Sequence, residues 1–170
     1  AGWPAATTQV GAELPGLFER LGASVAIDGD RCTVDGGAGA LTTPLRGGAI
    51  DMAHAGELSP TIAALGVLAD APLTIRGIGH IRGHETDRID ALVDDIARLG
   101  GEATGDDDSI TVRPSTLHGG MWAAYADHRI ATAGAVLGLA VPGVEVDDVG
   151  ATAKTIPEFP ELWQRMLDGR

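Results

Sequence analysis

The sequence predicts an α/β fold made of copies of one βαβαββ unit, with buried apolar helices surrounded by amphipathic helices and four-stranded sheets. Two interleaved internal repeats, and the contrast between two kinds of helix within them, lead to it. Residues 8–34 align without a gap on residues 86–112, placing Leu14 on Leu92, Phe18 on Ile96, Arg20 on Arg98, Leu21-Gly22 on Leu99-Gly100 and Thr33-Val34 on Thr111-Val112. Residues 61–69 and 133–141 form a second pair, short and rich in Ala and Gly, in which Ala63, Leu65 and Gly66 match Ala135, Leu137 and Gly138. Repeats of one supersecondary unit must stack to bury a common core.

Taken in order, the first element is an amphipathic helix carrying Val10, Leu14, Leu17, Phe18 and Leu21 at helical spacing. Pro15 and Gly16 predict a late start or a kink, and Gly22 a C-terminal stop. A hairpin follows, residues 24–27 with 31–34, turned by Asp28-Gly29-Asp30. A strand after residue 47 leads into the apolar segment 61–69. Helices apolar on every side belong inside a protein. A strand over 73–79 precedes the second amphipathic helix, with Ile89, Leu92, Val93, Ile96 and Leu99 inward and Gly100 as its stop. Thr86 is the expected cap at its start. A second hairpin pairs 102–104 with 109–112, and its acidic turn at 106–108 lacks the ligand spacing of a calcium loop. The apolar segment 133–141, a strand over 144–150 and a helix carrying Phe159, Leu162, Trp163, Met166 and Leu167 complete the series. The units are thus a partial one over 1–46, a full one over 47–119 and a partial one over 120–170. The first lacks an opening strand and buried helix, and the third lacks two closing strands, so the sequence is expected to belong to something larger.

The chain has 170 residues, enough for one domain with a sizeable core. Its formal net charge of −12 argues against nucleic acid or an anionic membrane surface as a partner, since both need a basic face. The longest apolar stretch, 130–141, is too short for a membrane span of about 20 residues. The N-terminal residues lack the basic and apolar regions of a signal peptide, so a cytoplasmic, reducing setting is expected. Cys32 is alone, which excludes an intrachain disulfide, and its strand-like surroundings predict a small buried hydrophobe. Eleven arginines stand against one lysine, Lys154, a bias typical of a high-GC genome that draws notice to the lysine retained.

Charge gathers at three helix starts: His84-Glu85-Thr86-Asp87-Arg88, Asp127-His128-Arg129 and Lys154. Helix starts present unpaired N–H groups and the positive end of the dipole, so cations added there make sites for anions. Acids in a first turn are ordinary decoration. Arg88 and Arg129 are not, because a cation at that end needs an anion nearby; Asp127 is the partner the sequence offers Arg129. Glu57 precedes the first apolar helix at the place in its unit that Asp127 and Arg129 hold one unit later. His80, His84 and Glu85 have a superficial metal-like spacing, but Gly83 interrupts any helix and no third ligand spacing is recognisable, so no metal or other cofactor is expected. A phosphate-binding GxxxxGK[ST] loop, a strand-borne GxGxxG and a GxSxG elbow are all lacking.

These motifs, HETDR at 84–88, YADHR at 125–129 and Ala153-Lys154-Thr155, in that order and one per unit, resemble the C-terminal domain of the 5-enolpyruvylshikimate-3-phosphate (EPSP) synthases. The resemblance covers essentially the whole chain and implies an enolpyruvyl transferase-like fold, with 1–170 forming most of the C-terminal domain of a two-domain enzyme. It implies transfer of the enolpyruvyl group of phosphoenolpyruvate to the 5-hydroxyl of shikimate 3-phosphate, with release of phosphate, no metal, and dependence on the missing N-terminal domain. By motif, Arg88, Arg129 and Lys154 would hold phosphoenolpyruvate. Glu85 would transfer a proton at its methylene carbon and Glu57 would act as base near the shikimate hydroxyl, so Glu57, Glu85 and Lys154 are the implied catalytic set. His80, His84, Asp127 and His128 join Arg88 and Arg129 as implied substrate-binding residues. The family often has Lys where His84 stands and Asp where Glu57 stands. Two alternatives remain open: a non-catalytic repeat domain that binds an anion or a protein, and the sister UDP-N-acetylglucosamine enolpyruvyl transferases, which commonly carry Arg in place of Lys154 and lack HETDR.

Overall fold

A computed structural model describes residues 2–40 and 42–169. The complete unit forms as expected. It runs through strand β3 (Gly48–Asp51), helix α2 (Ser59–Leu65), strand β4 (Leu73–Arg76), helix α3 (Arg88–Arg98) and strands β5 (Glu102–Gly105) and β6 (Ser109–Arg113). Before it come helix α1 (Leu14–Arg20) and the hairpin β1 (Ser24–Asp28) and β2 (Arg31–Asp35); after it come β7 (Gly120–Trp122), α4 (His128–Gly138), β8 (Val144–Val146) and α5 (Phe159–Leu167).

The four strands of the unit are ordered β3-β4-β6-β5. β3 and β4 are parallel because α2 crosses between them, whereas β6 lies antiparallel to both β4 and β5. Alternation then decides which side is covered. Ile50, Leu73, Ile75, Ile110 and Val112 are buried on the face under the helices, while Thr74 and Thr111 pair through their hydroxyls at 2.9 Å on the other. α3 lays Ile89, Leu92, Ile96 and Leu99, all fully buried, against that core. The small residues of α2 (Ala63, Ala64) and α4 (Ala131, Ala133, Gly134) let these two helices pack on each other. Gly134 admits Trp122 so closely that any β-carbon would overlap the indole ring, and the indole N–H donates to the Ile130 carbonyl at 2.9 Å.

Several boundaries differ from the sequence expectation for local reasons. α1 begins only at Leu14, with Pro15 in its first turn and a 3-10 turn over Val10–Glu13 before it. The strands expected over 73–79 and 144–150 stop at Arg76 and Val146, since the chain turns into 3-10 segments at Gly79–Gly83 and Val149–Lys154. Asp87, not Thr86, caps α3, its carboxylate accepting the Asp90 N–H at 3.2 Å. Cys32 is half-buried rather than buried, because the β1–β2 hairpin has little over it: Ile27 and Val34 are exposed. No helix among the described residues is long and apolar enough to cross a membrane.

Candidate active site

The charged residues of the three helix starts meet at one place. α3 delivers Glu85 and Arg88, the start of α4 delivers Asp127, His128 and Arg129, the 3-10 segment before α5 delivers Lys154, and the turn into α2 delivers Glu57. Arg88 is the hub. Its side chain is 1% exposed, and its Nε donates to Asp127 Oδ2 at 2.7 Å, Nη1 to Glu57 Oε2 at 3.2 Å, and Nη2 to Glu85 Oε2 at 3.0 Å and Asp127 Oδ1 at 3.3 Å. Burial would lower the Arg88 pKa, but the Asp127 hydrogen bond and the charges of Asp127 and Glu57 outweigh it and raise the value. The anions that Arg88 needed at a helix start are therefore the protein's own carboxylates.

Asp127 also caps α4, accepting the N–H of Arg129 at 2.7 Å and of Ile130 at 3.3 Å. The expectation that its carboxylate would partner the Arg129 guanidinium is thus corrected. Asp127 is fully committed to Arg88 and the helix end, and it is Glu57 that faces Arg129, 3.2 Å from its Nε. That approach is off the donor direction, and Arg129 Nε has no hydrogen-bond acceptor among the described residues, nor does His128 Nδ1. Both nitrogens are buried, with only the Glu57 carboxylate near the first, at 3.2 Å, and the Glu85 carboxylate near the second, at 3.8 Å. Beside them is a cavity of about 170 Å³ lined by His128, Arg129, Thr132, Thr155 and Ile156. A larger groove of about 390 Å³ under α5, lined by Val144, Val146, Phe159 and Trp163 among others, carries no charged residue and does not suit an anion.

Lys154 donates to Glu85, and this contact is the first cause holding the Glu85 carboxyl down at about 2. Glu85 is therefore ionised near neutrality. Because the folded value lies below the ordinary 4.5, Glu85 stabilises the fold above pH 4.5 and that contribution is lost as pH falls towards 2. Glu85→Gln is expected to flatten the pH dependence of stability across this window, as read by urea denaturation at several pH values; an unchanged slope would show the pairing to be absent in solution. His128 is shifted downward, chiefly by burial, which favours the neutral imidazole at pH 7.

His84 sits 3.5 Å from Glu57 through Nδ1. His80 lies further out, its ring edge-on to His84 at 6.3 Å and packed so tightly over Gly56 that a β-carbon there would overlap it. It makes no polar contact with the cluster among the described residues. Glu85, Asp127 and His128 place ligand atoms within 4.8 Å of one another. Arg88 and Lys154 already neutralise both carboxylates, so a metal cation would have to displace them. The site suits an anion that exchanges with Glu57 and Glu85 for Arg129 and Lys154.

A family model for EPSP synthase (3-phosphoshikimate 1-carboxyvinyltransferase) matches residues 1–163. The chain belongs to the EPSP synthase family. It is 48% identical over 165 residues to the 3-phosphoshikimate 1-carboxyvinyltransferase of Kocuria rhizophila, covering 97% of this chain and 36% of that relative. The chain thus spans just over a third of the relative's length. An EPSP synthase structure from Acinetobacter baumannii superposes with a TM-score of 0.69 at 21% identity, over 88% of this chain and 37% of that one. The enolpyruvyl transferase NikO from Streptomyces tendae gives 0.67 at 24%, over 88% and 34%. At such identities these two show a shared fold.

Two further residues tie the EPSP synthase motifs together, and the sequence reading passed over both. Arg82 reaches Asp87 at 2.6 Å and Asp90 at 3.0 Å and donates to the Asp106 carbonyl, pinning the capped start of α3 to the β5–β6 turn. Asp95 is fully buried on the inward face of α3. It had a visible signal, being the one acid on an otherwise apolar helical stripe of Leu92, Ile96 and Leu99. Arg82 had none, since nothing in the sequence announces its reach to the Asp106 carbonyl in the β5–β6 turn. The approach to Asp127 is itself strained: Tyr125 and Ala126 take left-handed backbone angles, φ +53° and +55°, which cost roughly 1–2 kcal/mol each for residues with a side chain.

Proposed function

We propose that residues 1–170 form most of the C-terminal domain of an EPSP synthase and supply the phosphoenolpyruvate side of its active site, the missing N-terminal domain supplying most contacts to shikimate 3-phosphate. The observation that carries this is the meeting of Glu57, Glu85, Arg88, Arg129 and Lys154 in one network that leaves Arg129 Nε and His128 Nδ1 buried without a hydrogen-bond partner among the described residues. In this reading Arg129 and Lys154 take the carboxylate and phosphate of phosphoenolpyruvate. Arg88, almost wholly enclosed, fixes Glu57, Glu85 and Asp127 around them.

The chemistry follows from that placement. The 5-hydroxyl oxygen bonds to C2 of phosphoenolpyruvate while its proton passes to Glu57 and a proton from the Lys154–Glu85 pair is added to the C3 methylene. The tetrahedral intermediate then loses phosphate from C2, the C3 proton returns to the same pair as the double bond re-forms, and the proton taken by Glu57 leaves with the phosphate. Lys154 and Arg129 stabilise the negative charge of the departing phosphate. His84 adds a contact to the shikimate phosphate. Supporting the reading are family membership and the occurrence of all three motifs at one site.

The test is phosphate release from phosphoenolpyruvate plus shikimate 3-phosphate, with this chain alone and with the remaining part of the enzyme added. Release is expected only from the combination, and Glu85→Gln in the combination should abolish it. If two folded, associated parts release no phosphate, the transferase reading fails and a non-catalytic anion-binding domain takes its place.

A further inference from the structure

Asp95 is buried where an apolar residue would be expected, and what it touches explains its presence. Its Oδ1 accepts the Ala123 backbone N–H at 3.1 Å and a bond from Arg98, whose Nη2 reaches the Tyr125 hydroxyl at 3.4 Å. Ala124 N–H is held by Asp147 Oδ1 at 2.7 Å. Two carboxylates therefore grip consecutive backbone amides immediately before the two left-handed residues Tyr125 and Ala126. Beyond them, Asp127 donates its own N–H to the Ala124 carbonyl at 2.9 Å and fixes Arg88 through its side chain.

We propose that Asp95 is a positioning residue: with Asp147 it holds the strained turn that aims Asp127, and through Asp127 it sets the guanidinium of Arg88 at the centre of the site. The arrangement is kept at the expense of stability. Asp95 Oδ2 is buried without a partner among the described residues, and burial above all, with Asp147 adding to it against the opposing Ala123 N–H and Arg98, pushes the carboxyl up to about 6. A folded value above the ordinary 3.8 means that ionised Asp95 opposes folding increasingly as pH rises from 3.8 to 6, and fully above that. A residue present only for packing would not carry this charge.

Asp95→Asn separates the two explanations, because it keeps the shape and removes the charge that strengthens the bonds from Ala123 and Arg98. The inference rests on the phosphoenolpyruvate reading for its ligand but not for its geometry, so two quantities are followed in the full chain at pH 7.5. One is the Arg88 Nε–Hε and Asp127 amide NMR signals; the other is phosphoenolpyruvate affinity by titration. Asp95→Asn is expected to shift or broaden both signals and to weaken phosphoenolpyruvate binding about 3- to 30-fold, with a melting temperature equal to or above that of the wild type. Arg98→Ala, which frees Tyr125 and unpairs Asp95 at a largely exposed side chain, should move the same signals. Unmoved Arg88 and Asp127 signals in both variants would overturn the proposal, as would a drop in melting temperature that parallels the loss of binding. Shifted signals in the variants, together with a wild-type chain that binds no phosphoenolpyruvate, would support the positioning role while removing the proposed function.

Discussion

Asp127→Ala lowers the stability of this chain by about 3–5 kcal/mol, the largest effect expected of any single substitution at the site. Two losses combine. The Arg88 guanidinium, 1% exposed, is left without the carboxylate that accepts both its Nε and one Nη bond. α4 also loses the acceptor for the N–H groups of Arg129 and Ile130 in its first turn, a cap worth about 0.5–2 kcal/mol. Glu57 and Glu85 still face Arg88, which keeps the total from exceeding this range. Asp127→Asn should recover the cap but not the charge, and so fall between the wild type and Asp127→Ala in urea midpoint. Equal midpoints for the wild type and Asp127→Ala would mean that Arg88 is not held as described. Since single domains have only about 5–15 kcal/mol in all, the same substitution removes much of the folded population at elevated temperature.

Lys154→Met acts on function and leaves the fold nearly untouched. The Lys154 side chain is 61% exposed and its only ionic partner among the described residues is Glu85, so a stability change within about 1 kcal/mol is expected. In the reconstituted enzyme the rate of phosphate release should fall by about 10²–10³, the usual cost of removing one donor from a developing oxyanion. Lys154→Arg then divides the role. Arginine keeps the charge but holds its proton too firmly to pass it on, so restored phosphoenolpyruvate affinity without restored turnover would assign the proton at C3 to Lys154. Full activity in Lys154→Met would remove this residue from the mechanism.

Most of the architecture was legible because the repeat could be read twice. The periodic apolar positions of α3 and of the β5–β6 hairpin, and the all-apolar character of α2 and α4, place the layers without reference to long-range contacts. Strand ends were not legible. Nothing in residues 73–79 announces that the chain leaves the sheet at Arg76; there Gly77 takes a left-handed φ of +76°, and the Gly79 N–H is taken by the Asp108 carboxylate at 2.8 Å in the β5–β6 turn. At the site, residue types and their positions at helix starts identified the cluster, but not its wiring. Arg129 was assigned to Asp127 by proximity in sequence, whereas Asp127 turns towards Arg88 across 39 positions and Glu57 fills the gap. Pairings of this kind depend on which helix faces are buried together. The link from Arg82 to the Asp106 carbonyl across 24 positions escaped notice for the same reason, while Asp95 could have been found as the misplaced acid of its stripe.

If these residues form the anion-binding half of a phosphoenolpyruvate site, titration of phosphoenolpyruvate into the isotope-labelled chain will locate it. Saturable shifts centred on the side-chain signals of Arg129, Lys154 and Arg88 and on the first amides of α4, lost in Arg129→Met, are the predicted result. Shifts confined to the groove beneath α5, or none at concentrations that saturate the reconstituted enzyme, would contradict the account.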